Sequence, residues 1–284
     1  MTEKNQVTGG MLYLVATPIG NLADLSPRAL KVLREVDLIA AEDTRTSARL
    51  LAAYGIEGRS MLPYHEHNRF SAGEEICRRL QAGASVALVT DAGMPAVSDP
   101  GEDIVRLCAD KGLPVTVIPG CCAAVTALAM SGLPTRRFVF EGFLPMQSRE
   151  RKERLEALRL ERRTAILYAA PHKLRDDLRD LLDAVGDRRL SLCRELTKLN
   201  EEVKRTTVAG AAAYYAENEP RGEYVLILEG AAEEAVRADA FFAEMTVPEH
   251  VAYYEARGLA RMDAIKAVAK DRGVGKNAIY KEMI

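Results

Sequence analysis

The sequence lacks the signatures of several common protein classes. Its 39 Lys and Arg nearly balance its 41 Asp and Glu, and this net charge of -2 leaves room only for a local contact with nucleic acid. No apolar run approaches the roughly 20 residues that a membrane-spanning helix needs, and the polar N-terminus lacks the apolar segment of a signal peptide. The five cysteines show no metal-ligand spacing. We therefore expect reduced thiols, a cytoplasmic location, no membrane partner and no bound metal.

Several catalytic motifs are also missing. No Gly-x-Gly-x-x-Gly follows the first apolar run, so the phosphate turn of a dinucleotide-binding Rossmann domain is absent. The chain contains no P-loop lysine, no Gly-x-Ser-x-Gly elbow and no His-Glu-x-x-His pair. His65-Glu66-His67 is the only histidine cluster, and it would need further ligands from elsewhere to hold a metal. Hydrogen-bonding loop histidines are the simpler interpretation.

Apolar runs alternate with helical segments in the first half of the chain. Ser26-Pro27 is typical of a helix N-cap followed by proline at the first helical position. Ser71-Ala72-Gly73-Glu74 fits a capping box that would open another helix. Strands are predicted at 11–17, 37–41, 86–90 and 114–118. This alternation predicts an α/β fold in which helices cover both faces of a parallel sheet.

A second α/β set follows, and it suggests a division into domains. Strands are predicted at 138–140, 165–169, 189–193 and 224–228, with helices at 148–163, 173–185 and 207–217. We expect a flexible N-terminus over 1–10, an N-terminal α/β domain over 11–134 and a C-terminal α/β domain over 135–230. An acidic linker over 231–247, with Glu233, Glu234, Asp239 and Glu244 against Arg237 alone, would then lead to a tail over 248–284.

The tail has a different composition from the rest of the chain. From residue 257 onward it carries seven Lys or Arg against three acidic residues. An amphipathic helix around 264–269, a turn at Gly273-Val274-Gly275 and a second helix from Lys276 form the pattern of a helix-turn-helix, which favours nucleic acid. The alternative is a helical hairpin that packs on the body or on a second subunit.

The stretch 85–101, SVALVTDAGMPAVSDPG, is the strongest candidate for a ligand-binding loop. A buried strand ends here in a segment dense in glycine and proline, and ligands of open α/β sheets bind at the carboxyl ends of strands. Asp91 is the first residue after the strand, where it can meet a ligand or act as a structural Asx cap. The loops 18–21, 42–45, 65–68 and 119–123 can lie along the same sheet edge.

Eight motifs in order resemble the tetrapyrrole methylase superfamily, and within it the branch that modifies RNA. They are ATPIGNLADLS, AEDTRTSARLL, YHEHN, VTDAGMPAVSDPG, IPGCCAAVTALAMSGL, YAAPHKL, RELTKLNEEV and GEYVLILEG, and they span residues 12–230. The resemblance implies a two-domain α/β enzyme that binds S-adenosylmethionine between its domains. It further implies methyl transfer to the 2′-hydroxyl of a cytidine in the decoding centre of 16S rRNA, and a homodimer.

The same resemblance implies a set of cofactor contacts. Tetrapyrrole-modifying relatives read Gly-Pro-Gly-Asp where this chain has Thr17-Pro18-Ile19-Gly20-Asn21, and the loss of that carboxylate weighs against a tetrapyrrole substrate. Cys122 stands where the family has a hydroxyl residue, and a thiol is a weaker donor. The positions that match the family's cofactor contacts are Pro18, Asp91, Gly93, Met94, Cys122, Ala123, Tyr168 and Leu228.

Methyl transfer to a ribose hydroxyl needs alignment of donor and acceptor and benefits from a positioned base. Asp43, beside Arg45, is the first candidate to orient or deprotonate the hydroxyl. Arg45 and Lys198 could instead hold phosphates, and each candidate could simply form a salt bridge or a helix cap. The other candidates for the base are Glu42, His65, Glu195 and Lys198.

Two other functions remain open from the sequence. The enzyme could methylate a small tetrapyrrole or corrin-type ring, which would predict a more apolar pocket and no need for the tail. The chain could also be a nucleic-acid-binding protein with a decayed catalytic body, although the intact Asp91, Pro95 and Pro119-Gly120 argue against decay. For RNA binding, we expect the tail and the basic stretch 149–163 to form the contact surface.

Overall fold

The computed structural model describes residues 6–233 and 242–283. Residues 1–5, 234–241 and 284 lie outside the described part, and with them about half of the expected linker, including Glu234, Arg237 and Asp239. The described residues form two five-stranded sheets with their covering helices, followed by a cluster of three helices.

The first sheet is fully parallel, with the strand order β3-β2-β4-β1-β5. All residues of the central strands β2 and β4 are buried, because one apolar cluster covers each face of the sheet. This confirms the expected parallel sheet covered on both sides. Its strands are β1 (Leu12–Val15), β2 (Leu38–Ala41), β3 (Met61–Pro63), β4 (Val86–Val89) and β5 (Val115–Ile118).

The helices around this sheet begin largely where their caps predict. Ser26 accepts a hydrogen bond from the Ala29 N–H, and Pro27 is the first helical residue. These helices are α1 (Pro27–Glu35), α2 (Thr44–Ala53), α3 (Arg69–Gln81), α4 (Gly101–Asp110) and α5 (Ala123–Ser131).

The capping box predicted at 71–74 is wrong, because the N-cap of α3 is Asn68, three residues before Ser71. Asn68 occupies the cap position, and its side chain turns back to accept the His65 N–H and to donate to the Pro63 carbonyl. This tight turn brings Arg69 into helical geometry at once. Ser71 therefore lies in the first turn, where its hydroxyl donates to the Asn68 carbonyl.

The second sheet is mixed, with the order β6-β7-β10-β8-β9. Only β6 and β7 are parallel, and the other pairs are antiparallel. The edge strand β9 was not predicted, because it is polar and only half buried and lacks the apolar run of an inner strand. The elements are β6 (Phe138–Phe143), α6 (Ser148–Leu160), β7 (Thr164–Ala169), α7 (Leu174–Val185), β8 (Arg189–Arg194), β9 (Glu202–Thr207), α8 (Val208–Glu217) and β10 (Tyr224–Leu228).

The C-terminal helices α9 (Val247–Glu255), α10 (Arg261–Arg272) and α11 (Lys276–Glu282) have an apolar core of their own. Gly273 ends α10 in the left-handed conformation, as the predicted turn requires. Helices α10 and α11 are joined by this turn, and α9 packs against them. Among residues 6–233 and 242–283, no helix is long and apolar enough to cross a membrane.

Helix α5 joins the two sheets. Its residues Ala124, Ala127 and Leu128 pack in one apolar cluster with Ile166 of β7 and with Ile227 of β10. The carboxyl edge of the first sheet therefore faces the second sheet across the start of α5, and the candidate site lies at this junction.

Candidate active site at the junction of the two sheets

A cavity of about 470 Å³ lies between the loops of the two sheets, and we call it the cleft cavity. Its volume falls in the range of pockets that hold cofactors and drug-sized ligands. Residues after β1, β2, β4 and β5 form one wall, as the parallel topology predicts. The cavity is lined by Ile19, Glu42, Thr90, Asp91, Ala92, Ala123, Phe143, Tyr168, Ala169, Ala170, Pro171, His172, Cys193, Leu196, Glu223, Tyr224 and Val225.

The loops after β1 and β4 are locked together behind this wall. Thr17 and Gly93 exchange two backbone hydrogen bonds of 2.9 and 3.1 Å, and the Thr17 hydroxyl donates to the Thr90 carbonyl at 3.2 Å. Gly93 has φ +88°, and a Cβ there would lie 3.3 Å from Ile19 Cγ2. The expected contacts Pro18, Gly93 and Met94 are thus brought next to Asp91, although the cavity wall itself is formed by Ile19, Asp91 and Ala92.

The stretch from Ala96 to Gly101 holds a strained backbone in place. Ala96 and Ser98 have φ of 67° and 66°, a conformation that costs about 1–3 kcal/mol for each residue without glycine's freedom. Asp99 Oδ1 offsets this strain by accepting the N–H groups of Ala96 and Gly101 at 2.9 and 2.7 Å. Such strain is concentrated at functional sites in proteins.

Three carboxylates stand at the first-sheet side of the cavity. Glu42 Oε2 accepts the Thr90 hydroxyl at 2.6 Å, and Asp91 Oδ1 accepts the Asp43 N–H at 3.2 Å. Asp43 is the N-cap of α2, where its Oδ1 accepts the Arg45 N–H at 2.8 Å. Its Oδ2 also pairs with the Arg45 guanidinium at 2.8 Å.

The surroundings of Asp43 and Asp91 shift the pKa values of these two carboxylates in opposite directions. The hydrogen bond from the Arg45 side chain, helped by the Arg45 backbone N–H, lowers the pKa of Asp43 to about 2. Burial raises the pKa of Asp91, and the nearby Glu42 and Asp43 charges add to this effect. Asp91 is therefore the stronger proton acceptor of the two, and Asp43 has the cap and salt-bridge role that the sequence left as an alternative.

Lys198 is held inside the second-sheet half of the site. Its Nζ contacts Glu195 Oε1 at 2.9 Å and Glu223 Oε2 at 2.7 Å. Burial alone would lower the pKa of Lys198, but the hydrogen bonds to Glu223 and Glu195 outweigh it and raise the pKa. The structure thus argues against Lys198 as a general base, because the ammonium stays protonated and its two carboxylates compete with any phosphate. The same contacts bind Glu195 in a salt bridge.

The start of α5 and Tyr168 meet at the far wall of the cavity. Cys122 is the N-cap of α5, but its side chain makes no capping hydrogen bond. Burial raises the pKa of the neighbouring Tyr168 phenol to about 12. Phe140 and Phe143 contact the Tyr168 ring edge-on at 5.1 and 5.4 Å between centroids. Cys122, Ala123 and Tyr168 therefore lie in one apolar cluster.

The expectation that Leu228 lines the cleft is corrected. Successive residues of a strand point to opposite faces. Val225 faces the cavity and packs with α5, whereas Leu228 is buried in the core between the sheet and helices α7 and α8. Leu228 lies on the face of β10 opposite to Val225, and the β10 residues that line the cavity are Val225 and, at the start of the strand, Tyr224.

The histidines near the cleft are distributed differently from the expectation. His65 lies beside the edge strand β3 and does not line the cleft cavity, and its buried Nδ1 has no hydrogen-bond partner among the described residues. His172 does line the cavity and was missed, although its motif YAAPHKL directly follows a strand end. In the described ranges, no group of three His, Cys, Asp or Glu could hold a metal ion.

The cavity fits S-adenosylmethionine on chemical grounds. Ile19, Leu196 and Val225 give apolar surface for an adenosyl group, and Tyr168 and Phe143 add aromatic surface. Glu42 and Asp91 stand where a sulfonium cation would be attracted. The uncapped N–H groups at the start of α5 suit the carboxylate of the amino-acid moiety.

Comparisons with known proteins show which proteins the chain resembles. The sequence model of the Tetrapyrrole (Corrin/Porphyrin) Methylases matches residues 11–212. The curated ribosomal RNA small subunit methyltransferase I of Halalkalibacterium halodurans is 46% identical over 271 residues, covering 95% of this chain and 93% of the relative. The protein of the same name from Escherichia coli O157:H7 is 45% identical over 277 residues, covering 96% and 94%.

Solved structures with low sequence identity share the fold. Diphthine synthase superposes with a TM-score of 0.62 at 16% identity, over 81% of this chain and 96% of that chain. Uroporphyrin-III C-methyltransferase from Thermus thermophilus, complexed with S-adenosylhomocysteine, has a TM-score of 0.55 at 21% identity, over 80% and 99%. With more than half of its length matched by the family model, the chain belongs to the tetrapyrrole (corrin/porphyrin) methylase family.

Proposed function

We propose that this protein methylates the ribose 2′-hydroxyl of a cytidine in 16S rRNA, with the small ribosomal subunit as its substrate. It is a methyltransferase that uses S-adenosylmethionine. The observation that carries the rRNA substrate is the 46% identity to a ribosomal RNA small subunit methyltransferase I over 95% of this chain. The match to uroporphyrin-III C-methyltransferase covers 80% of this chain, and the rest has no counterpart there.

The first loop also favours RNA over a small ring. Where tetrapyrrole-modifying relatives carry an acidic residue, Asn21 accepts the Ala23 N–H with its side chain and caps a short 3-10 helix. The Asn21 backbone N–H donates to the hydroxyl of Thr197, which lies in the segment after β8, at 3.1 Å. The 17–21 loop therefore links the first-sheet and second-sheet halves of the site, and it presents no carboxylate to a ring substrate.

S-adenosylmethionine supplies an activated methyl group on a positively charged sulfur. The protein's task is to bind it, to align the acceptor oxygen and to exclude water. Tyr168, Leu196 and Val225 would hold the adenosyl part, and the backbone N–H groups at the start of α5 would bind its carboxylate. Aromatic and apolar walls also keep water from the reacting atoms.

Asp91 is the proposed proton acceptor for the 2′-hydroxyl. The proton passes to its carboxylate as the 2′-oxygen bonds to the methyl carbon and the bond from that carbon to sulfur breaks. Asp91 lines the cavity and has a raised pKa, whereas the Asp43 pKa is near 2 because of Arg45. Asp43 and Arg45 then act as positioning residues, since the Asp43 N–H holds Asp91 Oδ1. A positioned base contributes about 10²–10⁴-fold to rate.

The surface that meets the ribosome is proposed to centre on the C-terminal helices. Stretch 149–163 contributes less than its composition suggests, because most of its arginines are paired with carboxylates and therefore attract phosphates weakly. These pairs are Arg149–Glu153, Arg151–Asp177, Arg151–Asp180, Arg154–Glu141, Arg159–Glu156 and Arg163–Glu161. A homodimer and a cytoplasmic location complete the proposal.

Methyl transfer from radiolabelled S-adenosylmethionine to small subunits that lack the modification tests the proposal. The expected result is label in a single 2′-O-methylcytidine, reduced by about 10²–10⁴-fold in Asp91→Asn. The matched control is Asp110→Asn, the same change at the far end of α4. Cofactor binding by wild-type protein without label in RNA would contradict the rRNA substrate and favour a small-ring acceptor.

A further inference from the structure

A second, smaller pocket opens beside the cleft cavity. It has a volume of about 270 Å³ and lies between α2 and the segment after β1, and we call it the α2 pocket. Thr90 and Asp91 line both this pocket and the cleft cavity, so the two spaces meet at the proposed proton acceptor. The lining residues are Leu22, Thr46, Ser47, Arg49, Leu50, Ala53, Thr90 and Asp91.

Ser47 is the first sign that this pocket binds a ligand. The residue is 3% exposed, and its hydroxyl has no hydrogen-bond partner within residues 6–233 and 242–283. Burying a hydroxyl without a partner is unfavourable, so native proteins seldom keep one unless something else satisfies it. Because Ser47 lines the pocket, a bound molecule with a polar edge can supply the missing partner.

The charges around the pocket give a second, independent sign. Arg49 is exposed, and no carboxylate of the described chain lies within ion-pair distance of it. The Arg49 guanidinium suits a phosphate that flanks a nucleotide in an RNA strand.

The pocket walls match a nucleoside in shape and polarity. Leu22, Leu50 and Ala53 form an apolar side, against which the flat face of a base can pack. The Tyr54 hydroxyl donates to the Leu22 carbonyl and so holds that side in position. Thr46, Ser47 and Thr90 offer hydroxyl groups to the polar edges of a base or ribose.

We propose that the α2 pocket receives the target cytidine, turned out of its RNA stack, with its ribose next to Asp91. Ser47 hydrogen-bonds the polar edge of the base, and Arg49 binds a flanking phosphate. Enzymes that modify a stacked nucleotide commonly extrude it into such a pocket. This assignment rests on the proposed rRNA methylation and names the acceptor side of that site, which is separate from the cofactor side in the cleft cavity.

The test uses Ser47→Ala and Arg49→Gln in the full chain. For Ser47→Ala, we expect the KM for small subunits to rise by about 3- to 10-fold, as for one lost hydrogen bond. For Arg49→Gln, we expect a weaker salt dependence of subunit binding, with the slope reduced by about 1. The dissociation constant for S-adenosylmethionine, measured by calorimetry, should stay within about twofold of wild type in both.

Two control variants match these changes. Ser191→Ala removes another buried serine hydroxyl, in the middle of β8, and Arg78→Gln removes an exposed guanidinium near the end of α3 at the opposite edge of the first sheet. Neither should alter the KM for subunits. Ser47→Ala should keep or raise the melting temperature, because it removes a buried hydroxyl that no residue of the described part of the chain satisfies.

The outcomes separate the two proposals. Suppose that the wild-type enzyme labels the subunit, but that Ser47→Ala and Arg49→Gln leave the subunit KM and the salt dependence of binding unchanged. This result would overturn the α2 pocket as the acceptor site and leave rRNA methylation intact. Weaker cofactor binding with unchanged subunit KM would also overturn it, because the pocket would then belong to the cofactor. A wild-type enzyme that never labels RNA would overturn the proposed function and this assignment together.

Discussion

Gly20→Ala should open the junction between the two halves of the site. Gly20 follows the first strand and approaches the segment after β8 so closely that a Cβ would lie 2.4 Å from Lys198 Cγ. The same Cβ would lie 2.9 Å from the Leu196 carbonyl oxygen and from Thr197 Oγ1. Real Cβ atoms do not approach other heavy atoms this closely, so something must move.

Neither side can move freely. Lys198 is tied to Glu195 and Glu223, and the backbone around it is already strained, with φ of 50° at Glu195 and 64° at Thr197. Overpacking of this kind costs about 1–3 kcal/mol. At about 2–4 °C per kcal/mol, the melting temperature should fall by roughly 2–12 °C. Because Leu196 lines the cleft cavity, the affinity for S-adenosylmethionine should fall with it, by up to about 100-fold.

Differential scanning fluorimetry and calorimetric titration with the cofactor measure both effects. Gly275→Ala is the matched control, because a Cβ there meets nothing within 4 Å and its φ is -71°. A Gly20→Ala protein with the melting temperature and cofactor affinity of wild type would refute the reasoning. It would show that the β1 loop and the Leu196-to-Lys198 segment are not in contact in solution.

Three further predictions concern the first-sheet half. Wild-type kcat should fall as the pH drops through the raised pKa of Asp91. Asp43→Asn should shift this fall to lower pH, because it removes a negative charge that raises the Asp91 pKa, while asparagine still caps α2. An Asp43→Asn enzyme that loses activity as fully as Asp91→Asn would contradict this. Cys122→Ser should stabilise the protein by about 0.5–2 kcal/mol in urea denaturation, because serine can cap α5 and the cysteine does not. An unchanged urea midpoint would contradict this capping role. Gly73→Ala should raise the free energy of unfolding by about 0.5–1 kcal/mol in the same assay, because Gly73 is inside α3 and a Cβ would meet Leu107 Cδ2 at an ordinary 3.4 Å. A loss of stability would mean that α3 and α4 pack too closely for a methyl group.

Local sequence patterns predicted the helices and strands whose formation depends mainly on residues nearby in sequence. The apolar runs of β2 and β4 predicted strands buried on both faces, and Ser26-Pro27 predicted the start of α1. The polar strand β9 was missed, because half-buried edge strands carry no apolar run. The start of α3 was misjudged, because the Asn68 turn that begins it depends on contacts with Pro63 and His65.

The sequence by itself determined the parallel first sheet, the order of the loops along its carboxyl edge and the family, because these follow from hydrophobic periodicity and from motifs read along the chain. Only the tertiary structure decided the role of each polar side chain at the site. Lys198 meets Glu223 across 25 positions of sequence, and Asp91 meets the Asp43 N–H across 48. A pKa depends on burial and on charges within a few ångströms, and those neighbours come together only when the sheets pack.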